Sequence, residues 1–339
     1  SPPLRVYGSL VGHLLLRSMD RAERVYRAMV ARGFDGELRV WGATQSVPAF
    51  AFVLEYAIGG EGAAGVGVVA TQALVETSYG PLGLEKMKNG ISAPQALIEL
   101  LAADELREVR QVAMVDAQGL IEVHTGQRCM QAAGHVKGEI FSVQANMMLN
   151  EMVWPAMAEA YRSACGDLAE RLLVALEAAQ AAGGDVRGQQ SAALLIVETE
   201  KSQNPWEGKI FDLRVEDAPE PITELRRLVQ VQRAYTHMNR GDGLLGKGDV
   251  EGALEAYRTA ASLQPTMDEL PFWQAVTLTD LGRLAEALPI FRQVFLTNPN
   301  WAVLLTRLPP AGMMKENPIA LKQILSLLEN NHGTNNQER

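Results

Sequence analysis

Between residues 64 and 216 the apolar positions fall into short alternating or continuous runs punctuated by Gly, Asn and Asp. GVGVVAT, VRQVAMVDAQG, LIEVHTG, FSVQANMM, SAALLIVET and IFDLRVED each predict a β-strand, as does RVWGATQS nearer the N-terminus. The runs at 109–116 and 120–125 flank Ala117-Gln118-Gly119, which predicts a hairpin. Helical spacing fills the intervals. GPLGLEKMKNG carries Leu82, Leu84 and Met87, and SAPQALIELLAAD follows with Ser92 placed to cap and Pro94 in the first turn. VWPAMAEAYRSAC and DLAERLLVALEAAQAAGG predict a later pair, closed by Gly183-Gly184. Hairpin-linked strands with paired helices point to an α+β fold of antiparallel sheets layered with helices, not a doubly wound parallel sheet.

From residue 236 the period changes. Gly248 and Gly282, Ala253 and Ala287, Tyr257 and Phe291, and Pro265 and Pro299 are equivalent positions, each pair 34 residues apart. Two helices joined by a glycine turn, with small residues at the crossing, an aromatic wedge and a closing proline, make the tetratricopeptide period. An all-α, tetratricopeptide-like domain is therefore expected over 236–328, and the polar tail 329–339 is read as disordered. Trp273, Phe295 and Trp301 are candidates to line a ligand groove there, against the plainer alternative of core packing or dimerisation.

The first 40 residues differ again. In RSMDRAERVYRAMVARGFDGELR, Asp20 is placed to cap, and Ala22, Val25, Tyr26, Met29 and Val30 share one face. Arg17, Arg21, Arg24, Arg27 and Arg32 occupy the rest, and Gly33 closes a basic amphipathic helix. The whole chain nevertheless carries a net charge of −9, which argues against a nucleic-acid partner. At 47% hydrophobic residues it has the material for a core. No apolar run approaches the ~18 residues of a membrane span, and no signal peptide is visible. With two cysteines, Cys129 and Cys165, and no disulfide framework, a cytoplasmic location is expected. Starting at Ser1 and not Met, the chain reads as a processed protein or a fragment.

Candidate chemistry is sparse. His13, His124, His135, His237 and His332 are scattered, with no HExxH or CxxC spacing, so no metal is expected. GAAGVGVVA lacks a third glycine and a following helix, so no dinucleotide or other cofactor is expected. Cys165, in a helix of Ala and Met, reads as packing. What remains are polar residues set into strands. Thr71 and Gln72 end one, Gln144 and Asn146 interrupt another, and Gln190 and Ser191 open a third. Ser78 and Tyr79 precede the turn pair Gly80-Pro81. Buried amides need partners, so these groups either close strand ends internally or share a polar cleft able to hold a carbonyl oxygen.

Two resemblances give these patterns a context. AGVGVVATQALVETSYGPLGLEKMKNGISAPQALIELLAADELREVRQVAMVDAQG, HTGQRCMQAAGHVKGEIFSVQANMMLN, LAERLLVALEAAQAAGGDVRGQQSAALLIV and FDLRVEDAPEPITELRRL occur in order over about 41–235. Together they resemble an uncharacterised bacterial family of the N-terminal-nucleophile hydrolase superfamily. The resemblance implies a four-layer αββα sandwich and amide-bond hydrolysis by an N-terminal Thr or Ser whose free amine is the base. It also implies a C-terminal region that has been labelled peptidoglycan-binding. GHLLLRSMDRAERVYRAMVARGFDGELR resembles the C-terminal end of the membrane component of energy-coupling-factor cobalt transporters. There Ala31, Arg32 and Gly33 match a motif that docks on the ATPase subunit, making Arg32 a candidate partner contact.

In the hydrolase-like family a first strand bearing the nucleophile precedes a GELGVWGVATQS-like strand. Here GELRVWGATQS follows the transporter-like helix, so that first strand is expected to be missing, with the change of identity near Gly36-Glu37-Leu38. Ser1 carries a hydroxyl and an amine, but Pro2 and Pro3 follow it and roughly 35 residues separate it from that strand, so it is read as inactive. The expected domains are thus 1–36 transporter-like, 37–235 hydrolase-like, 236–328 helical repeat and 329–339 tail. Three functions compete. One is an amide hydrolase lacking its nucleophile, acting on a small amide or peptide. Another is a binding or scaffold protein, homo-oligomeric, that uses the repeats for a peptide or cell-wall ligand. The third is an accessory of a cobalt transporter ATPase.

Overall fold

The computed structural model describes residues 49–55, 60–201, 204 and 208–332. The predicted basic helix, Arg32 and the predicted strand RVWGATQS lie outside these residues. Those described divide into an α/β unit reaching Val229 and a helical unit beginning at Gln230.

In the α/β unit all strand pairs are antiparallel. A four-stranded sheet has the order β2-β3-β4-β5, from Gly60–Ala63, Gly67–Ala73, Arg110–Asp116 and Ile121–Thr125. A three-stranded sheet has the order β1-β8-β9, from Ala49–Glu55, Ala192–Glu198 and Lys209–Val215. Between them in sequence, β6 (Gly134–Lys137) and β7 (Ser142–Ala145) form a separate hairpin.

Side-chain alternation explains the layering. Val69, Val112 and Met114 face one way and pack on α1 (Tyr79–Lys88) and α2 (Ala93–Ala103) through Tyr79, Met87, Ala96 and Leu97. The intervening positions Val68, Ala70 and Val115 face the other way and meet Leu195 and Val197 of β8. The opposite face of β8, with Ala192, Leu194 and Ile196, packs on Leu173 and Leu176 of α4 (Leu168–Ala181) and on Leu225 and Val229 of α5 (Pro221–Gly246). Covered on both faces, β8 reads as an unbroken apolar run. On β7, Val143 and Ala145 pack against α3 (Val153–Ser163) and the flank of α4.

Local chemistry sets the joints. Asp116, buried at the end of β4, accepts the N–H groups of Gln118 and Leu120 in the hairpin turn and that of Ala93 at the start of α2. One carboxylate thereby fixes both the β4–β5 turn and the entry to a helix. Gly67 must be glycine, since a Cβ there would lie 2.1 Å from Val115 O at φ +147°. Within the stretch YAIGGEGAAG, Gly60–Ala63 forms β2. Gly-Glu-Gly-Ala carries little β-propensity, and pairing with β3 imposes the strand. Gly62 permits it, because a Cβ would stand 2.8 Å from Leu195 Cδ2 of the facing sheet.

The helical unit continues from α5 through α6 (Val250–Leu263), α7 (Glu269–Asp280), α8 (Leu284–Thr297), α9 (Asn300–Arg307) and α10 (Pro318–His332). The 34-residue spacing is visible in the backbone: Gly248 (φ +83°) and Gly282 (φ +77°) occupy matching left-handed turn positions. Ala253 and Ala287 are both fully buried, as are their aromatic companions Tyr257 and Phe291. Phe272 is central, with ring centroids 4.6 Å from Trp301 and 6.0 Å from Phe291.

Candidate functional site

β3 and β4 place Gln72 directly opposite Gln111, both on the face turned toward the second sheet. Gln111 is completely buried. Its Nε2 donates to Thr125 Oγ1 at 3.0 Å, to Ala145 O at 2.9 Å and to Gly134 O at 3.2 Å. Its Oε1 accepts from Asn146 Nδ2 at 3.1 Å. With two amide hydrogens serving three acceptors, one hydrogen is shared. Thr125, already accepting from Gln111, has its hydroxyl hydrogen free for His135 Nδ1 at 2.9 Å, which fits a neutral imidazole. One carboxamide thus ties β4, β5, β6 and β7 together.

Gln72 is the exception in this network. Its Oε1 is buried and has no hydrogen-bond partner among the described residues. Two further features mark the place. Among the described residues, the non-glycine residues with left-handed backbone are Ala73 (φ +65°) and Met147 (φ +59°). Each stands immediately after a site amide, Gln72 and Asn146. Such conformations cost about 1 kcal/mol apiece, and they concentrate where a side chain must be held in a set direction.

The turn between β2 and β3 lies at the other end of the sandwich. There Gly65 N–H donates to Glu198 O at 3.0 Å, tying the start of β3 to the finish of β8. Gln72, at the finish of β3, and Ser191, just before β8, therefore share the opposite end. Ser191 is buried, on the same strand parity as Leu195 and Val197.

The remaining sequence candidates separate from this cluster. Thr71 points to the α1–α2 side, because successive strand residues face opposite ways, and its buried Oγ1 has no partner among the described residues either. Gln144 pairs in register with His135 on the β6–β7 hairpin, and its Oε1 accepts from Ser142. Gln190 is exposed, and its carbonyl accepts from Ala218 N–H. Ser78 N–H donates to Glu76 in a turn. Tyr79 OH donates to Asp104 Oδ2 at 3.1 Å, the same oxygen that Arg110 Nε binds at 2.8 Å. Burial, reinforced by Asp104, pushes the Tyr79 hydroxyl far above its ordinary pKa. Tyr79 is therefore part of a neutral–ionic brace and supplies no phenolate. Trp273 and Trp301 are half-buried and pack against the helical core.

Gln111 was not among the sequence candidates. Its signal was present as a lone amide within VRQVAMV, at the parity that faces the sheet interior. Cys129 is no nucleophile: burial raises its thiol pKa, and its Sγ–H donates to Arg110 O at 3.2 Å. A separate open groove of about 650 Å³, lined by Arg214, Asp217, Glu220, Thr223 and Glu224 among others, contains none of the amide cluster. Among the described residues no group of three or more His, Cys, Asp or Glu is placed to hold a metal ion. Nor is any helix among them long and apolar enough to cross a membrane.

Layered antiparallel sheets and helices define the chain as an α+β protein with a buried carboxamide cluster at one end of its sheets. Residues 42–225 match the model of a family of unknown function, DUF1028, and the chain belongs to that family. Residues 2–41 match the model of a cobalt transport protein, which puts the change of identity a few residues after Gly36-Glu37-Leu38. A crystal structure of a Silicibacter pomeroyi protein of the same DUF1028 family is 30% identical to this chain. The alignment covers 49% of this chain and 70% of that one, with a TM-score of 0.43. No curated protein matches the chain.

Proposed function

We propose that the α/β unit binds a small amide or peptide at Gln72 and Asn146, on a sandwich of the N-terminal-nucleophile hydrolase type. The observation that carries this reading is the buried Gln72 carbonyl oxygen, which has no donor among the described residues. Leaving such a group unpaired costs about 1–3 kcal/mol, and a ligand N–H removes that cost. Gln111, whose own amide is fully engaged, fixes the neighbouring Asn146 from beneath. The test uses N-acetylglycinamide, followed by saturation-transfer NMR, with release of ammonia and of acetate measured in parallel. Saturation transfer that disappears in Gln72→Leu supports the reading. No transfer to the wild type, or equal transfer to the variant, overturns it. Release of ammonia, from the terminal amide, or of acetate, from the N-acetyl bond, alongside binding assigns an amidase; binding without release of either assigns a receptor for amides.

A second reading concerns the helical unit, which we take as a tetratricopeptide-like ligand or self-association module. Arg240 Nε and Trp301 Nε1 are buried donors with no acceptor among the described residues, which favours a ligand rich in oxygen acceptors, such as a peptide or cell-wall fragment. Muropeptide binding that is unchanged by Arg240→Met would remove it. The segment 2–41 is read as a docking element for a transporter ATPase. Pull-down of that ATPase should depend on Arg32, and binding insensitive to Arg32→Ala would refute this.

A further inference from the structure

Beside the amide cluster the surface becomes apolar. Three loops are sewn together there by backbone hydrogen bonds. Met147 N–H donates to Met130 O at 3.1 Å, Val186 N–H to Met147 O at 3.0 Å, and Leu149 N–H to Gly184 O at 2.9 Å. An isolated β-bridge between Met148 and Asp185 adds to the seam. On this rigid frame stand Met130, Leu149, Met152 and Val186, exposed at 62%, 65%, 66% and 55%. A lone exposed leucine needs no explanation, but large apolar side chains gathered by three hydrogen-bonded loops do. Within the frame Arg187 forms a two-point ion pair with Asp185.

The rim is continuous with the proposed site. Met147 follows Asn146 directly, and Asn146 donates to Gln111. The left-handed backbone at Met147 turns the chain from the carboxamide cluster into the apolar loops. A ligand amide held at Gln72 and Asn146 therefore has its neighbouring atoms next to methionine. Methionine is unbranched and polarizable, and it suits an apolar chain of variable length better than one fixed shape.

We infer that the ligand of this site is an amide bearing an apolar chain, an N-acyl amide or a peptide with an apolar flanking residue. Met130, Met147, Leu149, Met152 and Val186 set that preference. The inference rests on the amide-binding reading and adds a substrate class to it.

The experiment is a homologous series, N-acetyl-, N-butanoyl- and N-hexanoylglycinamide, titrated by calorimetry into the full chain. Burial of each methylene on the rim should tighten binding roughly twofold to threefold, somewhat less than full transfer from water gives. The Met130→Ser/Met152→Ser double variant changes exposed side chains only, and its thermal transition should stay at the wild-type position. In that variant the dependence on chain length should vanish, whereas Leu120→Ser, an exposed leucine in the β4–β5 turn, should keep it. A series that binds but is flat, or a slope that survives in the double variant, overturns the rim as the specificity element while leaving amide binding intact. Failure of every member to bind overturns the amide-binding reading instead. A concentration-dependent dimer that the double variant abolishes would reassign the rim to contact between copies, and overturns the inference.

Discussion

Replacing Gln111 by Met keeps the length of the side chain and removes all its hydrogen bonds. Four groups lose a partner: Thr125 Oγ1, Gly134 O, Ala145 O and Asn146 Nδ2. They do not suffer equally. Thr125 retains His135, and Asn146 is half-buried and can take up water. Gly134 and Ala145 face each other in the β6–β7 pair at a hydrogen-bonded register position, so their carbonyls keep a ladder partner and lose only a second donor. At about 0.5–1 kcal/mol for each of these two bonds, the variant should lose about 1–2 kcal/mol. The loss should be local to the strands that Gln111 joins, so hydrogen exchange read by peptide mass spectrometry is the appropriate assay. Protection across 110–125 and 134–145 should fall by roughly 5-fold to 30-fold. Peptides from α6 to α8, in the helical unit, serve as the internal control and should not change. A fall below about threefold in the strands, or an equal fall in the helices, would refute the idea that one carboxamide holds β4 to β7 together.

Other expectations are simpler. Asp104→Asn breaks a bridge whose partner Arg110 has only 7% of its side chain exposed, leaving it Leu74 O and a distant Glu76 at 3.9 Å, so about 2–4 kcal/mol should be lost at pH 7. The pH dependence has a definite sign. Burial raises the Asp104 pKa, but hydrogen bonds from Arg110, Leu106 N–H and Tyr79 outweigh it and hold the carboxyl below its usual range. Its stabilisation is therefore complete above the unfolded value of about 3.9 and is lost as pH falls through the lower folded value. Urea midpoints of wild type and variant should differ at pH 7 and converge in strong acid; a constant gap would contradict the argument. Gly248→Ala should cost about 1 kcal/mol from its φ of +83° alone, since nothing lies within 4 Å of the added Cβ. Gly282→Ala should cost the same and add to it, read from tryptophan fluorescence of the helical unit; unequal or non-additive losses would break the equivalence of the two turns.

What the sequence made legible depended on whether a residue's role was local. The strands 110–116, 121–125 and 192–198 and the helices around them follow from alternation, from continuous apolar runs and from capping. β2 does not, because Gly-Glu-Gly-Ala becomes a strand only through its neighbour and through the room Gly62 leaves for Leu195. Gln72 and Asn146 stood out as amides among apolar residues, and both reached the cluster. Thr71 stood out equally but faces the helices, because one step along a strand reverses the side chain. Gln111 passed unnoticed within a longer apolar run, although it makes more hydrogen bonds than either. Its importance lies in Gly134, Ala145 and Asn146, partners 23 to 35 residues away that no local pattern reveals.

The same cluster separates stability from function by the sign of one substitution. An acceptor without a donor among the described residues at Gln72, followed by a left-handed Ala73, is a local arrangement that folding alone disfavours. Proteins keep such arrangements where a ligand completes them. Gln72 also sits beside Ala70, on the face where Leu195 and Val197 form an apolar contact between sheets. Gln72→Leu therefore removes an unpaired polar group and extends that contact, and should raise stability by about 1–2 kcal/mol. If the oxygen exists to receive a ligand N–H, the same variant should lose amide binding altogether. Urea unfolding and saturation-transfer NMR on one preparation give both signs. A variant that is less stable would mean that Gln72 already has a partner within the fold, and the case for a ligand at that oxygen would fall with it.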